Sequence, residues 1–349
     1  MADYPALTPV NIVTGFLGSG KTTLLQRLLR APQLAEVAVL VNELGEIGLD
    51  HHLLQNVAES TLLLENGCVC CAIRGDLQQA LRDLLSKRMR GDISMFRRVV
   101  IETSGLADPV PIAYTLLREP VIRHHYRLST ILATVDALNG MAQLEAFAEA
   151  SKQVAVADRL IMTKTDLADA GSVHVLGARL RRLNPSASLL ESTAVEAEGA
   201  RLLIDDIYDR DGKSRELARW LAADDAGAHA VATQAVPHDH THDIHSFTLT
   251  FERPLDWSAF GLWSTMLLHR HGGDILRIKA LLNVAGVSTP VLINGVQHLV
   301  HPPSHLDTWP DGDRRSRLVF VVRGLSRPQI ERSLAAFTAL VNPQHVVTK

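Results

Sequence analysis

Between residues 9 and 194 short apolar runs end in polar or glycine-rich turns and alternate with longer amphipathic stretches. That alternation predicts strands and helices in turn, and so a mostly parallel sheet covered by helices. The predicted strands are VNIVT (10–14), VAVLVN (37–42), TLLLE (61–65), RVVIE (98–102), TILATVD (130–136), RLIMTK (159–164) and ASLLES (187–192). Most are apolar throughout rather than at every second position, as strands covered on both faces are. Between them, TTLLQRLLR sets Leu24, Leu25, Leu28 and Leu29 on one helical stripe, and DLQQALRDLLSKRM does the same with Leu77, Leu81, Leu84 and Leu85. These leucines are expected in the core.

Both periods lapse across 223–246, ADDAGAHAVATQAVPHDHTHDIHS, which reads as a linker. Beyond it FTLTFE, ILRIKALLNV, PVLINGV and RLVFVVRG read as strands, with DWSAFGLWSTMLLHR and RPQIERSLAAFTALV as helices. The expected organisation is a larger α/β domain over 8–222, a histidine-containing linker over 223–245 and a smaller α+β domain over 246–349. A length of 349 residues also exceeds the size at which single cores usually stop growing.

Composition narrows the class of partner. With 46% hydrophobic and 21% charged residues the chain has the make-up of a globular protein, and a formal charge of −3 offers no broad basic face for nucleic acid. The opening MADYPALTPVNIV lacks the basic and apolar regions of a signal peptide, and no run of about 18 apolar residues occurs. A cytoplasmic protein with no nucleic-acid and no membrane partner is expected.

Gly15-Phe-Leu-Gly18-Ser19-Gly20-Lys21-Thr22 fits G-x-x-x-x-G-K-[ST] and stands between a predicted strand and a leucine-striped helix. In such a loop backbone N–H groups curl around phosphate oxygens, and the helix N-terminus adds its positive end. The expected nucleotide-contacting residues are Gly15, Gly18, Ser19, Gly20, Lys21, Thr22 and Thr23, with Thr22 as a Mg²⁺ ligand. Glu102 ends the run RVVIE and is followed by Gly105, where a second Mg²⁺-holding carboxylate and a γ-phosphate contact belong. Lys21 and Glu102 are the expected catalytic groups. Thr163-Lys164-Thr165-Asp166 is close to N-K-x-D: Asp166 can accept from guanine N1–H and the 2-amino group, and Lys164 can lie over the ring. Thr163 stands where an asparagine usually ties this loop to the phosphate loop.

All three cysteines, Cys68, Cys70 and Cys71, sit in one turn, ENGCVCC. A long-range disulfide framework is excluded, and adjacent Cys70 and Cys71 would pair only through a strained ring. Thiolates at these positions suit Zn²⁺ first, with Cu(I) or Co²⁺ as alternatives, and leave a tetrahedral ion one open position. Glu43 and Glu46 follow the second strand and are candidate further ligands. His238, His240, His242 and His245, interleaved with acids, make a weak metal-collecting tract.

These residues together resemble the CobW-like P-loop GTPase family of metal chaperones, which includes zinc-regulated GTPases and nitrile hydratase activators. The resemblance runs through TGFLGSGKTT, VNELGEIGLD, ENGCVCC, VIETSGLADP, TKTD and the stretch from GDILRIKALLNVAG to HLDTWPDGDRRSRLVFVVRGL, although the histidine tract is shorter than in some members. It implies a P-loop GTPase domain with a CobW-type C-terminal domain, GTP hydrolysis with Mg²⁺, and zinc or cobalt held at Cys68, Cys70 and Cys71 for delivery to a client metalloprotein. Two other readings of the residues stay open: a nucleotide-gated metal sensor or buffer, and a small-molecule kinase.

Overall fold

The middle of the larger sheet is β1 (Thr8–Gly15), hydrogen-bonded on both sides and buried along almost its whole length. The structure, a computed structural model, describes residues 7–41, 62–65, 73–193, 199–205, 244–310 and 312–341. They fall into two compact units, one drawn from Met1–Leu180 and Ala187–Gly212, the other from Arg181–Ser186 and Lys213–Lys349.

In the first unit β1 leads into α1 (Lys21–Leu29), β2 (Val37–Val41), β3 (Leu62–Glu65), α2 (Ile73–Arg90), β4 (Arg98–Glu102) and α3 (Val110–Arg118). Then follow β5 (Tyr126–Asp136), α4 (Gly140–Ala146), α5 (Ala148–Val156), β6 (Arg159–Thr163), α6 (Ala170–Leu183), β7 (Ser188–Glu191) and the short α7 (Arg201–Ile204). Every expected strand of this unit forms. They make a seven-stranded sheet in the order β3-β2-β4-β1-β5-β6-β7, parallel throughout. Parallel neighbours need crossovers, and the helices supply them while covering the apolar faces.

The leucine stripes go where their period sends them. Leu24, Leu25, Leu28 and Leu29 of α1 pack with Val13, Val39, Val100, Leu132 and Ile161, and Leu77, Leu81, Leu84 and Leu85 of α2 are buried as well. Each such side chain contributes about 1.5–3 kcal/mol on burial. A buried cation sits among them: Arg159 is fully enclosed and donates to the carbonyls of Arg201 (3.0 Å), Leu202 and Asp205 (2.8 Å). Backbone acceptors replace the water its guanidinium gives up.

The second unit contains β8 (Ile244–Phe251), α8 (Trp257–His271), β9 (Ile275–Leu282), β10 (Val291–Val296), β11 (Leu299–Val300), β12 (Ser304–His305), β13 (Ser316–Arg323) and α9 (Arg327–Val341). Its antiparallel sheet runs β11-β10-β9-β13-β8, with β12 also on β10. The four expected strands form, and so do both helices. β8 begins earlier than the expected boundary and takes in His245, opposite Val322, so this histidine belongs to a strand rather than to the linker. Asp256 caps α8 by accepting from Ala259 N at 2.8 Å.

Trp263 of α8 is completely buried with Phe260, Phe320 and Ile330, and its indole N–H donates to Ser333 Oγ at 3.1 Å. We expect Trp263→Ala to cost about 3–5 kcal/mol in urea unfolding, whereas Leu262→Ala, at a position 54% exposed on the same helix, stays within about 0.5 kcal/mol. Equal midpoints for the two variants would show that the Trp263 cluster is not the core of this unit.

Candidate nucleotide and metal site

The carboxyl ends of the parallel strands line one edge of the first sheet. Val13 lies opposite Glu102, Val41 opposite both Glu102 and Glu65, Gly15 opposite Thr134, and Asp136 opposite Thr163. The chain crosses from one side of β1 to the other at this edge, since β4 and β5 flank it, which is where ligands bind in open α/β sheets.

The phosphate loop leaves β1 at Gly15. A Cβ there would stand 2.3 Å from Thr134 Oγ1, and its φ of +141° is one that residues with side chains rarely adopt, so only glycine fits. Gly18 is exposed at the loop and Ser19 is buried, its hydroxyl 2.7 Å from Thr134 Oγ1. Gly20, at φ 83°, is the N-cap of α1, with no side-chain cap and no acid in the first turn. With neither a side-chain cap nor an acid in its own first turn, the N-terminus of α1 has the arrangement that receives an anion. Lys21 Nζ donates to the carbonyls of Gly15 (2.9 Å) and Phe16 (3.1 Å), across the loop. Thr23 is exposed beside it.

Thr22 Oγ1 donates to Glu102 Oε1 at 2.6 Å, joining the start of α1 to the end of β4. Glu102 is 3% exposed. Gly105, itself buried, lies against Leu17 of the phosphate loop.

On the other side of β1 the TKTD segment follows β6. Thr163 Oγ1 donates to Ser19 O at 2.8 Å. The tie to the phosphate loop that an asparagine usually makes is thus made by a threonine hydroxyl. Lys164 has φ 57°, an unusual left-handed value for a residue with a side chain, and its Nζ pairs with Asp136 Oδ2 at 2.7 Å. Asp136 also accepts from Asn139 Nδ2 (3.1 Å) and from Leu138 N (2.8 Å). Burial pushes the Asp136 carboxyl up, but the hydrogen bonds from Lys164, Asn139 and Leu138 with the Lys164 charge outweigh it and hold the group below the usual carboxylate range. A carboxyl lowered in this way contributes stability above its unfolded value, and that contribution is lost as the pH falls through the lowered one. Asp166 is exposed.

Asp136 and Asn139 are the functional side chains that sequence reasoning passed over. The available signal was a carboxylate ending a buried strand, TVD, at the same edge as the other motifs. Glu43, Glu46, Cys68, Cys70, Cys71, His238, His240 and His242 lie outside the described residues. Among the described residues no cluster of His, Cys, Asp and Glu is arranged to hold a metal ion. No helix among them is long and apolar enough to cross a membrane.

The profile of the CobW/HypB/UreG nucleotide-binding domain matches residues 9–191, and that of the cobalamin synthesis protein CobW C-terminal domain matches residues 244–338. The chain belongs to the CobW family. Among its relatives, the zinc chaperone YjiA of Escherichia coli (strain K12) is 34% identical over 331 residues, covering 95% of this chain and 98% of that protein. The zinc-regulated GTPase metalloprotein activator 1 of Schizosaccharomyces pombe is 30% identical over 303 residues, covering 79% of this chain and 72% of the relative. The crystal structure of Zn(II)-bound YjiA GTPase from E. coli superposes with a TM-score of 0.66 at 29% identity, over 95% of this CobW-family chain and 99% of that one.

The Thr163 tie gives a direct test. Thr163→Val keeps the volume and removes the hydroxyl, so GDP affinity, measured by fluorescence titration, is expected to fall about 2 to 12-fold, the worth of one hydrogen bond. Thr163→Ser should retain most of it. An unchanged dissociation constant in Thr163→Val would mean that the two loops are coupled by something else.

Proposed function

We propose that this chain is a GTP-hydrolysing metallochaperone of the cytoplasm, which carries zinc, or cobalt, at Cys68, Cys70 and Cys71 and passes it to a client metalloprotein. That it is a GTPase follows from its family, its P-loop fold and the GTPases among its relatives. The observation that carries the rest is the common sheet edge. The segment bearing Glu43 and Glu46 leaves from Val41, and the segment bearing Cys68, Cys70 and Cys71 leaves from Glu65, each in line with Glu102 and the phosphate loop.

In this reading the backbone N–H groups from Gly15 to Thr23 and Lys21 hold the phosphates, Gly105 meets the third phosphate, and Asp166 reads guanine beside Lys164. Thr22 and Glu102 would hold Mg²⁺, a hard cation suited by two such oxygens, and when bound it neutralises phosphate charge. Lys21 and Glu102 are the groups on which hydrolysis depends, through charge and position. GTP completes the thiolate site, and hydrolysis releases the metal. The 8–222 domain carries the chemistry, the segment from 223 to 243 connects it to the CobW C-terminal domain, which opens with β8 at Ile244, and Glu43 and Glu46 supplement the thiolates.

Two measurements test it. Lys21→Ala is expected to abolish GTP hydrolysis while the circular dichroism spectrum is kept; a folded variant with full turnover would remove the phosphate loop from the mechanism. In a titration against a chromophoric chelator, Zn²⁺ should bind roughly 5 to 150-fold more tightly with a non-hydrolysable GTP analogue than with GDP, the usual range of allosteric coupling. Replacing Cys68, Cys70 and Cys71 by Ser should abolish the difference. Equal affinity in both nucleotide states refutes the switch, and a difference that survives the substitutions moves the metal away from the cysteines.

A further inference from the structure

Two neighbouring residues of α5, Lys152 and Gln153, reach the loop that follows β4. Gln153 is 1% exposed, and its Nε2 donates to Gly105 O at 3.0 Å and to Ala107 O at 3.0 Å. Only the NH₂ end of a carboxamide can serve two carbonyls, so the orientation of the amide follows from its partners. Its Oε1 is buried with no hydrogen-bond partner among the described residues. The hold on the loop therefore runs through the donors alone. Lys152 Nζ pairs with Asp108 Oδ2 at 2.6 Å, while Asp108 Oδ1 accepts from Val110 N at 3.0 Å at the start of α3. Gly105, Ala107 and Asp108 are thus all tied to α5.

From the opposite side the same loop is pressed by the phosphate loop. A Cβ on Gly105 would lie 2.7 Å from Leu17 N and 2.7 Å from Leu17 Cα. Phe16, the residue before Leu17, stacks on Phe147 with centroids 4.6 Å apart, and Phe147 is the N-cap residue of α5. One helix and its lead-in residue accordingly grip both loops: Phe147 the phosphate loop, Gln153 the Gly105 loop.

The two loops have different ligands to meet. The nucleotide phosphates common to GDP and GTP sit on the N–H groups around α1, whereas the Gly105 loop, continuing from Glu102, borders the space of the third phosphate. A side chain bonded to the second loop and not to the first acts more on that third phosphate than on the other two. We propose that Gln153 is a positioning residue for the γ-phosphate: by holding the Gly105 and Ala107 carbonyls it keeps the Gly105 loop in the place where GTP, and not GDP, is sensed. This rests on the GTPase reading above.

The test uses the full chain with Gln153→Glu, which keeps the size but turns the donors into acceptors, and Gln153→Met, which removes them without charge. GDP affinity, affinity for a non-hydrolysable GTP analogue, kcat and KM for GTP, and the melting temperature are measured together. Both variants are expected to keep GDP affinity within about twofold, to lose roughly tenfold in affinity for the GTP analogue and to lose kcat by a similar factor, as the removal of two buried hydrogen bonds allows. Lys152→Met, which spares both Gln153 bonds, should change the GTP-to-GDP affinity ratio by less than about threefold. Equal weakening of GDP and the analogue would make Gln153 merely structural and overturn the proposal, as would an unchanged ratio in a folded Gln153→Met protein. A wild-type chain that hydrolyses no GTP would instead bring down the GTPase reading and this inference with it.

Discussion

Parallel register is the constraint from which the site follows. Because every strand of the first sheet runs the same way, the ends of β1, β4, β5 and β6 are brought to one edge by backbone pairing alone. The phosphate loop, Glu102, Asp136 and Thr163 come from distant parts of the chain, yet their relative heights are set by ladder hydrogen bonds between apolar strands. A slip of one residue in β4 would exchange its faces and turn Glu102 away from Thr22. Val99, Val100 and Ile101 are buried on both faces, so what makes such a slip expensive is the polar ends of β4, where Arg98 would leave Asn11 Oδ1, now at 2.7 Å, and Glu102 would leave Thr22.

Around that edge the polar contacts divide into two sets. On one side of β1 the Thr22–Glu102 bond joins the helix that receives phosphate to the strand that ends in a carboxylate. On the other the Thr163–Ser19 bond and the Asp136–Lys164 pair join the TKTD loop to the phosphate loop and to β5. Thr22, Thr163 and Asp136 are short side chains on rigid elements and lose little rotamer freedom on ordering, while Glu102 and Lys164 lose more.

Much of this was legible in the sequence because the relevant signals are local. Buried strands appear as apolar runs, α1 and α2 as leucine stripes, and the phosphate loop as a string of glycines whose conformation is a backbone property. What escaped depended on adjacency. Asp136 gains its role only because β5 lies beside β6, and Gln153 only because α5 passes the loop after β4; neither pairing is written in spacing along the chain. β5 itself begins at Tyr126, ahead of the apolar TILATVD, since Arg127 and Ser129 interrupt the run that marks a buried strand. The two-residue strands β11 and β12 are too short to leave a period, and His245 joined β8 because ladder pairing with Val322 overrode the polar look of its neighbourhood.

The bare N-terminus of α1 has a consequence for the protein in the cell. A serine or aspartate cap would add about 1 kcal/mol to an ordinary helix of this kind, but here a carboxylate would occupy the place an anion must take. A nucleotide that binds the folded chain and not the unfolded one therefore raises resistance to unfolding with the logarithm of its concentration over its dissociation constant. Resistance to proteolysis follows the same relation, so nucleotide concentration bears on the amount of folded protein as well as on its turnover.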